Sequence, residues 1–233
     1  MIQGTDLAYC NPNTNYQLMA NSGIRFAILK LVQGLLSKDV MFDIHKTGCE
    51  AVNVPWDIYN FCDYTKPAVD NVNNMLAVAN GNFGMGHICE DLEYRAIWGY
   101  PDGEHMLWWH LDYCHTLEQQ TGKLCTLYTN RWLLTVMWSA ATSAQKVEMA
   151  RHDLWFATDT ANPVPTVLPY KINQWDLDVA VPWCVQKVDK NDFIGTEAEF
   201  AAWKGNTSPP LSLEERVNIL EREARLHNWN LNP

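Results

Sequence analysis

The chain has no apolar run of membrane-spanning length, and its N-terminus has neither a basic start nor an apolar stretch of leader type. These absences argue against membrane insertion and lead us to expect synthesis in the cytoplasm without a signal peptide. Positive charge is also scarce. Lys and Arg number 17 against 27 Asp and Glu, a formal charge of −10, which argues against nucleic acid or an anionic membrane surface as partner, since both are held by clustered cations. A neutral glycan remains compatible. The motifs C-x-x-C, H-E-x-x-H, G-x-S-x-G and the phosphate-binding P-loop are all missing. The seven cysteines, Cys10, Cys49, Cys62, Cys89, Cys114, Cys125 and Cys184, are odd in number and scattered. They read as reduced thiols rather than a zinc site or a disulfide framework, so neither metal nor cofactor is expected.

What is present is an alternation of short strand-like runs with helical stretches. Strands are expected at residues 3–8, 26–32, 55–61, 87–92 and 125–128. Lys66-Pro67 opens one helix. Residues 104–121 form another, with Met106, His110, Tyr113 and Leu117 on one face and Gly122 as its stop. Beyond Trp138, runs at 152–157, 171–175 and 185–188 are separated by loops rich in Pro, Asp and Asn, where little helix is expected. The sum is an α/β protein, a TIM-like β/α barrel of about five β/α units followed by three strands, occupying residues 1–205. Residues 206–233 read as a Pro-containing linker and a short amphipathic helix. That helix either docks on its own barrel or mediates self-association.

The most informative segment is His87-Ile88-Cys89-Glu90-Asp91-Leu92-Glu93. Asp91 and Glu93 are two apart at the end of a strand, so they share a face, and an inward pair at a strand's carboxyl end sits at the usual active-site mouth of a barrel. Two like charges there raise one another's pKa, as a general acid requires. A lone D-x-E is weak evidence. Asp6 and Asp189, at the ends of other expected strands, suggest a shared mouth.

In this setting the chain resembles glycoside hydrolase family 25, the Chalaropsis-type lysozymes of bacteria and their phages. Gly4-Thr5-Asp6 is similar to that family's opening G-x-D, residues 21–30 to its "SGIDFVIIK" strand, Tyr59-Asn60-Phe61 to its Y-H-F, Asp91-Leu92-Glu93 to its D-x-E and Val188-Asp189-Lys190-Asn191 to its V-D-x-N. The resemblance implies a flattened barrel that hydrolyses the β-1,4 bond between N-acetylmuramic acid and N-acetylglucosamine in bacterial peptidoglycan. It makes Glu93 the catalytic acid and places Asp6, Asp91 and Asp189 in the same cleft. Two departures stand out: Lys30-Leu31-Val32-Gln33-Gly34 replaces K-A-T-E-G, and Asn60 replaces the central His of Y-H-F, so substrate contacts are expected to differ there. The D-x-x-D-x-D-x-E of chitinase-like barrels is only half present, because Gly86 and Cys89 stand where it needs Asp.

Sugar rings stack their CH faces on aromatic planes, which makes Tyr59, Tyr128, Trp155 and Trp175 candidate substrate contacts and Lys30 a candidate neutraliser of the carboxylates. A core role for each aromatic, and a structural ion pair for Lys30, compete with that reading. Two mechanisms stay open, with an acetamido group or a water as nucleophile. The expected setting is lysis of a host wall by a phage protein, from the cytoplasm or from a virion. The alternative is a non-catalytic wall-binding module of a larger particle.

Overall fold

The computed structural model describes residues 1–95, 98–99, 101–158 and 166–205. The expected linker and tail helix at 206–233 lie outside the described residues. Eight strands close a barrel in chain order: β1 (Ile2–Leu7), β2 (Phe26–Gln33), β3 (Trp56–Phe61), β4 (Ile88–Asp91), β5 (Cys125–Asn130), β6 (Asp153–Ala157), β7 (Ile172–Val181) and β8 (Cys184–Phe193). β1 to β6 each pair in parallel with their successors. β8 runs antiparallel to both β7 and β1 and so closes the ring.

The helices are α1 (Tyr16–Asn21), α2 (Phe42–Ala51), α3 (Ala68–Ala79), α4 (Gly103–Thr121), α5 (Arg131–Ala140), α6 (Ser143–Met149) and α7 (Glu197–Lys204). α3 begins at Pro67, whose fixed φ suits a helix start. In α4 the Asp102 side chain accepts from His105 N, Gly122 ends the helix at φ +70°, and Met106, His110, Tyr113 and Leu117 are all buried. α6 and α7 correct the expectation of little helix after Trp138. Both start in reciprocal capping boxes, Thr142 with Gln145 and Thr196 with Glu199, which offset the weakness of helices this short.

Side-chain alternation divides the apolar residues into two clusters. Leu7, Leu29, Ile58, Ile88, Leu127 and Leu154 point outward to the helices. Ile2, Phe26, Ile28, Tyr59, Cys89, Trp155, Ile172 and Phe193 fill the barrel, and Phe200 and Trp203 of α7 join them. Phe26 lies so close to Gly4 that a Cβ there would fall 2.3 Å from its ring. The glycine of G-x-D is therefore a packing requirement of the barrel floor. With that end filled, the open mouth lies at the carboxyl ends of the parallel strands.

Candidate active site

The inward positions nearest the mouth are Asp6 on β1, Lys30 on β2, Phe61 on β3, Asp91 on β4, Tyr128 on β5, Gln174 on β7 and Asp189 and Asn191 on β8. Register brings the acids together. Asp6 pairs directly with Asp189 across β1 and β8, and Asp91 lies between Phe61 and Tyr128. Glu93 follows two residues beyond Asp91, just past the strand end, and is less buried than its partner.

Asp6 is held by a double relay. Tyr128 Oη donates to Gln174 Oε1 at 2.6 Å, which turns the Gln174 amide nitrogen toward Asp6 Oδ2 at 2.9 Å. Trp155 Nε1 donates to Asn191 Oδ1 at 2.7 Å, and Asn191 Nδ2 then reaches the same Oδ2 at 2.8 Å. Trp155 Nε1 can only donate and so fixes which way round the Asn191 amide sits, whereas the Tyr128 hydroxyl could also accept and orients Gln174 less strictly. Two donors favour the ionised carboxylate, yet burial and the facing Asp189 outweigh them and raise the Asp6 pKa from 3.8 to about 7.

The other three acids move in the same direction. Burial and then the Glu93 charge push Asp91 well above its ordinary value, against the pull of Lys30. Burial raises Glu93, opposed by the polar influence of the Tyr128 hydroxyl and by the Arg95 charge. Asp189 is raised by burial, although Asp178 N donates to its Oδ1 at 2.9 Å. All four carboxyls of the group are therefore raised above their ordinary values, burial being the first cause in each. The deeper Asp91 and the more accessible Glu93 titrate as a pair.

Lys30 Nζ donates to Gln33 Oε1 at 3.0 Å and lies 4.8 Å from the centre of the Phe61 ring. A register shift between Lys30 and Val32 brings Gln33 opposite Phe61, so the first and fourth residues of the altered K-A-T-E-G segment face the mouth. Asn60 behaves differently. It points outward, and its Nδ2 lies 3.4 Å from Tyr113 Oη of α4, so that departure does not touch the cleft.

Of the four aromatics, Tyr59, Tyr128 and Trp155 are inward and mutually packed, with ring centres 4.4 Å apart for Tyr128 and Trp155 and 6.1 Å for Tyr59 and Trp155. Trp155 is only 2% exposed, so it supports the floor and anchors Asn191 rather than offering a free plane. Trp175 does not join them. It follows inward Gln174 by one residue, takes the opposite face of β7, and stacks under Lys190 Nζ at 5.3 Å. Aromatic character drew attention to Trp175, while strand alternation points to Gln174. Gln174 and Arg95 were not singled out from the sequence, and Gln33 was quoted only within the altered K-A-T-E-G segment. Asn191 was quoted only as the last letter of a motif. Exposed aromatic surface near the mouth comes instead from Tyr9, after β1, and Trp132, at the start of α5.

A closed barrel that gathers four high-pKa carboxyls, an amide-held aspartate and aromatic walls at its strand ends is equipped for acid-catalysed glycoside cleavage. Residues 5–180 match the family described as Glycosyl hydrolases family 25, and the chain belongs to that family, the glycoside hydrolases of lysozyme type. Similar folds include a bacterial lysozyme from Streptomyces coelicolor (20% identity, 89% of this chain and 98% of that one, TM-score 0.75). A muramidase from Trichobolus zukalii is also similar (19% identity, 89% and 100%, TM-score 0.74). So is the catalytic domain of endolysin ply40 from bacteriophage P40 of Listeria monocytogenes (17% identity, 88% and 98%, TM-score 0.69). No curated protein matches the sequence.

Proposed function

We propose that this protein is an N-acetylmuramidase that cuts the β-1,4 bond between N-acetylmuramic acid and N-acetylglucosamine of bacterial peptidoglycan, and that a phage uses it to lyse the host wall. The observation carrying the chemistry is the acid cluster itself, with Asp6 and Asp189 facing each other on β1 and β8 and Asp91 and Glu93 at the end of β4. Family membership and the likeness to lysozymes and a phage endolysin support the substrate and setting.

In this reading Glu93, accessible at the mouth, donates its proton to the leaving sugar oxygen as positive charge grows at the anomeric carbon. Asp91, deeper and beside Lys30, is its electrostatic partner. Asp6 and Asp189 line the opposite wall, where they hold either the neighbouring acetamido group or the attacking water. The anomeric configuration of the first product, read by NMR, separates these two routes.

The test is Glu93→Gln, which preserves size and hydrogen bonding but has no acidic proton. Reducing-sugar release from purified walls should fall by roughly 10² to 10⁴-fold, while the variant still pellets with the walls. Mass spectrometry of the wild-type digest should show N-acetylmuramic acid at the new reducing end. Undiminished release by the variant, or N-acetylglucosamine at that end, would overturn the assignment.

A further inference from the structure

Behind the catalytic strand lies a second polar cluster that the barrel chemistry does not use. Glu90 alternates with Asp91 on β4 and points outward, where it meets Cys125 of β5 and the inner face of α4. His110 and Cys114 are four residues apart on that face and so project side by side. All four residues are buried, with at most 1% exposure. Among the described residues, Glu90 Oε1 has no hydrogen-bond partner. Leaving a carboxylate oxygen unsatisfied in an apolar layer is costly unless a cation or a proton compensates it.

The spacing points to the cation. We propose that Glu90, His110, Cys114 and Cys125 form a binding site for one tetrahedral zinc ion that clamps α4 to β4 and β5. Glu90 Oε2 and the sulfurs of Cys114 and Cys125 all lie within 4.8 Å of one another. Zinc bonds of about 2.3 Å to sulfur and about 2.0–2.1 Å to oxygen or nitrogen give tetrahedral edges of about 3.6 Å between unlike ligand atoms. The observed edges are 3.8 Å from Cys114 Sγ to Glu90 Oε2, 3.7 Å from Cys125 Sγ to the same oxygen, and 3.6 Å from Cys114 Sγ to His110 Nδ1.

Two edges differ. His110 lies outside the set of atoms that are all within 4.8 Å of one another, its ring being too far from Cys125 Sγ, and its Nδ1 is 2.6 Å from Glu90 Oε2, joined by a hydrogen bond. Zinc would replace that bond and spread the two atoms to about 3.3 Å, a movement within reach of side-chain rotation. Both thiols give up their protons to solvent on binding, and two thiolates, one carboxylate and a neutral imidazole leave the filled site with a single negative charge. Because the cluster is enclosed, the ion would enter as the chain folds. The expected absence of a metal site rested on the missing C-x-x-C spacing. Here two strands and one helix supply the ligands, so no short motif records them. The proposal is independent of the substrate assigned above.

The test uses the full chain, produced with zinc present, dialysed against metal-free buffer and analysed for metal and protein together. About one zinc per chain should remain, and X-ray absorption at the zinc edge should show two sulfur and two lighter ligands. Protein refolded with cobalt should display a thiolate-to-cobalt charge-transfer band, weakened in Cys114→Ser and in Cys125→Ser. If either variant fails to fold, the wild-type absorption spectrum decides alone. Stoichiometry near zero, a zinc shell without sulfur, or recovery of Cys114 and Cys125 as a disulfide would overturn the proposal.

Discussion

Replacing Asp6 by Asn should make the protein more stable in alkaline solution and much less active. Asn Oδ1 can accept both N–H groups that now meet Asp6 Oδ2, from Gln174 and Asn191, so the relay survives. What disappears is the charge. The Asp6 pKa rises from 3.8 to about 7 in the folded protein. Below pH 3.8 the group is protonated folded or unfolded and contributes nothing. Between 3.8 and 7 the folded state keeps a proton that the unfolded chain has released, so stability falls as pH rises. Above about 7 the full cost stands, about 4 kcal/mol at about 1.36 kcal/mol per pH unit. For a chain of this length each kcal/mol moves Tm by about 2–4 °C. Asp6→Asn should therefore melt roughly 8 °C or more above wild type at pH 8, and within about 1 °C of it at pH 3.5. Calorimetry at the two pH values gives both numbers, and turnover should drop about 10²-fold or more. Equal melting at pH 8, or wild-type turnover, would refute the reasoning.

Three further outcomes follow from the same geometry. Trp155→Phe keeps the ring but removes the N–H that fixes Asn191; freed to turn its oxygen toward Asp6, Asn191 should raise the Asp6 pKa above about 7 and cost about tenfold in kcat, visible as a displaced pH–rate profile. Trp175→Ala, on the outer face beneath Lys190, should leave kcat/KM on soluble glycan fragments unchanged. Removal of residues 206–233 should also leave hydrolysis of such fragments nearly unchanged, while altering wall binding or self-association; loss of fragment cleavage would place the tail within the barrel domain.

The barrel was legible because its strands begin and end at sharp changes of pattern, and because period two decides which face a residue takes. Asp6 and Asp91 fall at strand ends with the right parity, and Tyr59, Tyr128 and Trp155 share it; Asp189, expected just past a strand, lies instead inside β8, where it pairs with Asp6. Trp175 misled because it sits one residue from the inward Gln174, beside the register shift between Gln174 and Asp176. Gln174 and Asn191 are neutral amides and leave no pattern of their own. Their importance comes from what they touch. α6 and α7 carried capping-box signatures in Thr142-x-x-Gln145 and Thr196-x-x-Glu199, but their apolar periodicity is too short to register. The outer cluster of Glu90, His110, Cys114 and Cys125 was invisible because residues from two strands and a helix converge only after the barrel closes.

The two faces of β4 bear on one another. Ile88 and Glu90 face the helices, while Cys89 and Asp91 face the barrel. A slip of one residue would send Asp91 into the layer under α4 and Glu90 into the mouth. Apolar side chains alone resist that weakly, since Ile88 and Cys89 can each be buried on either face. The hydrogen bond between Glu90 and His110 adds to the resistance, because a slip would put the shorter Asp91 side chain in Glu90's place and leave the buried imidazole nitrogen short of its partner, a cost of about 1–3 kcal/mol. Cys114 and Cys125 flank the same carboxylate and make the position still less exchangeable. The polar contact outside the barrel thus holds the register on which the acid pair at the mouth depends, and the carboxyl that faces the mouth is secured by the carboxyl that faces the helices one residue away.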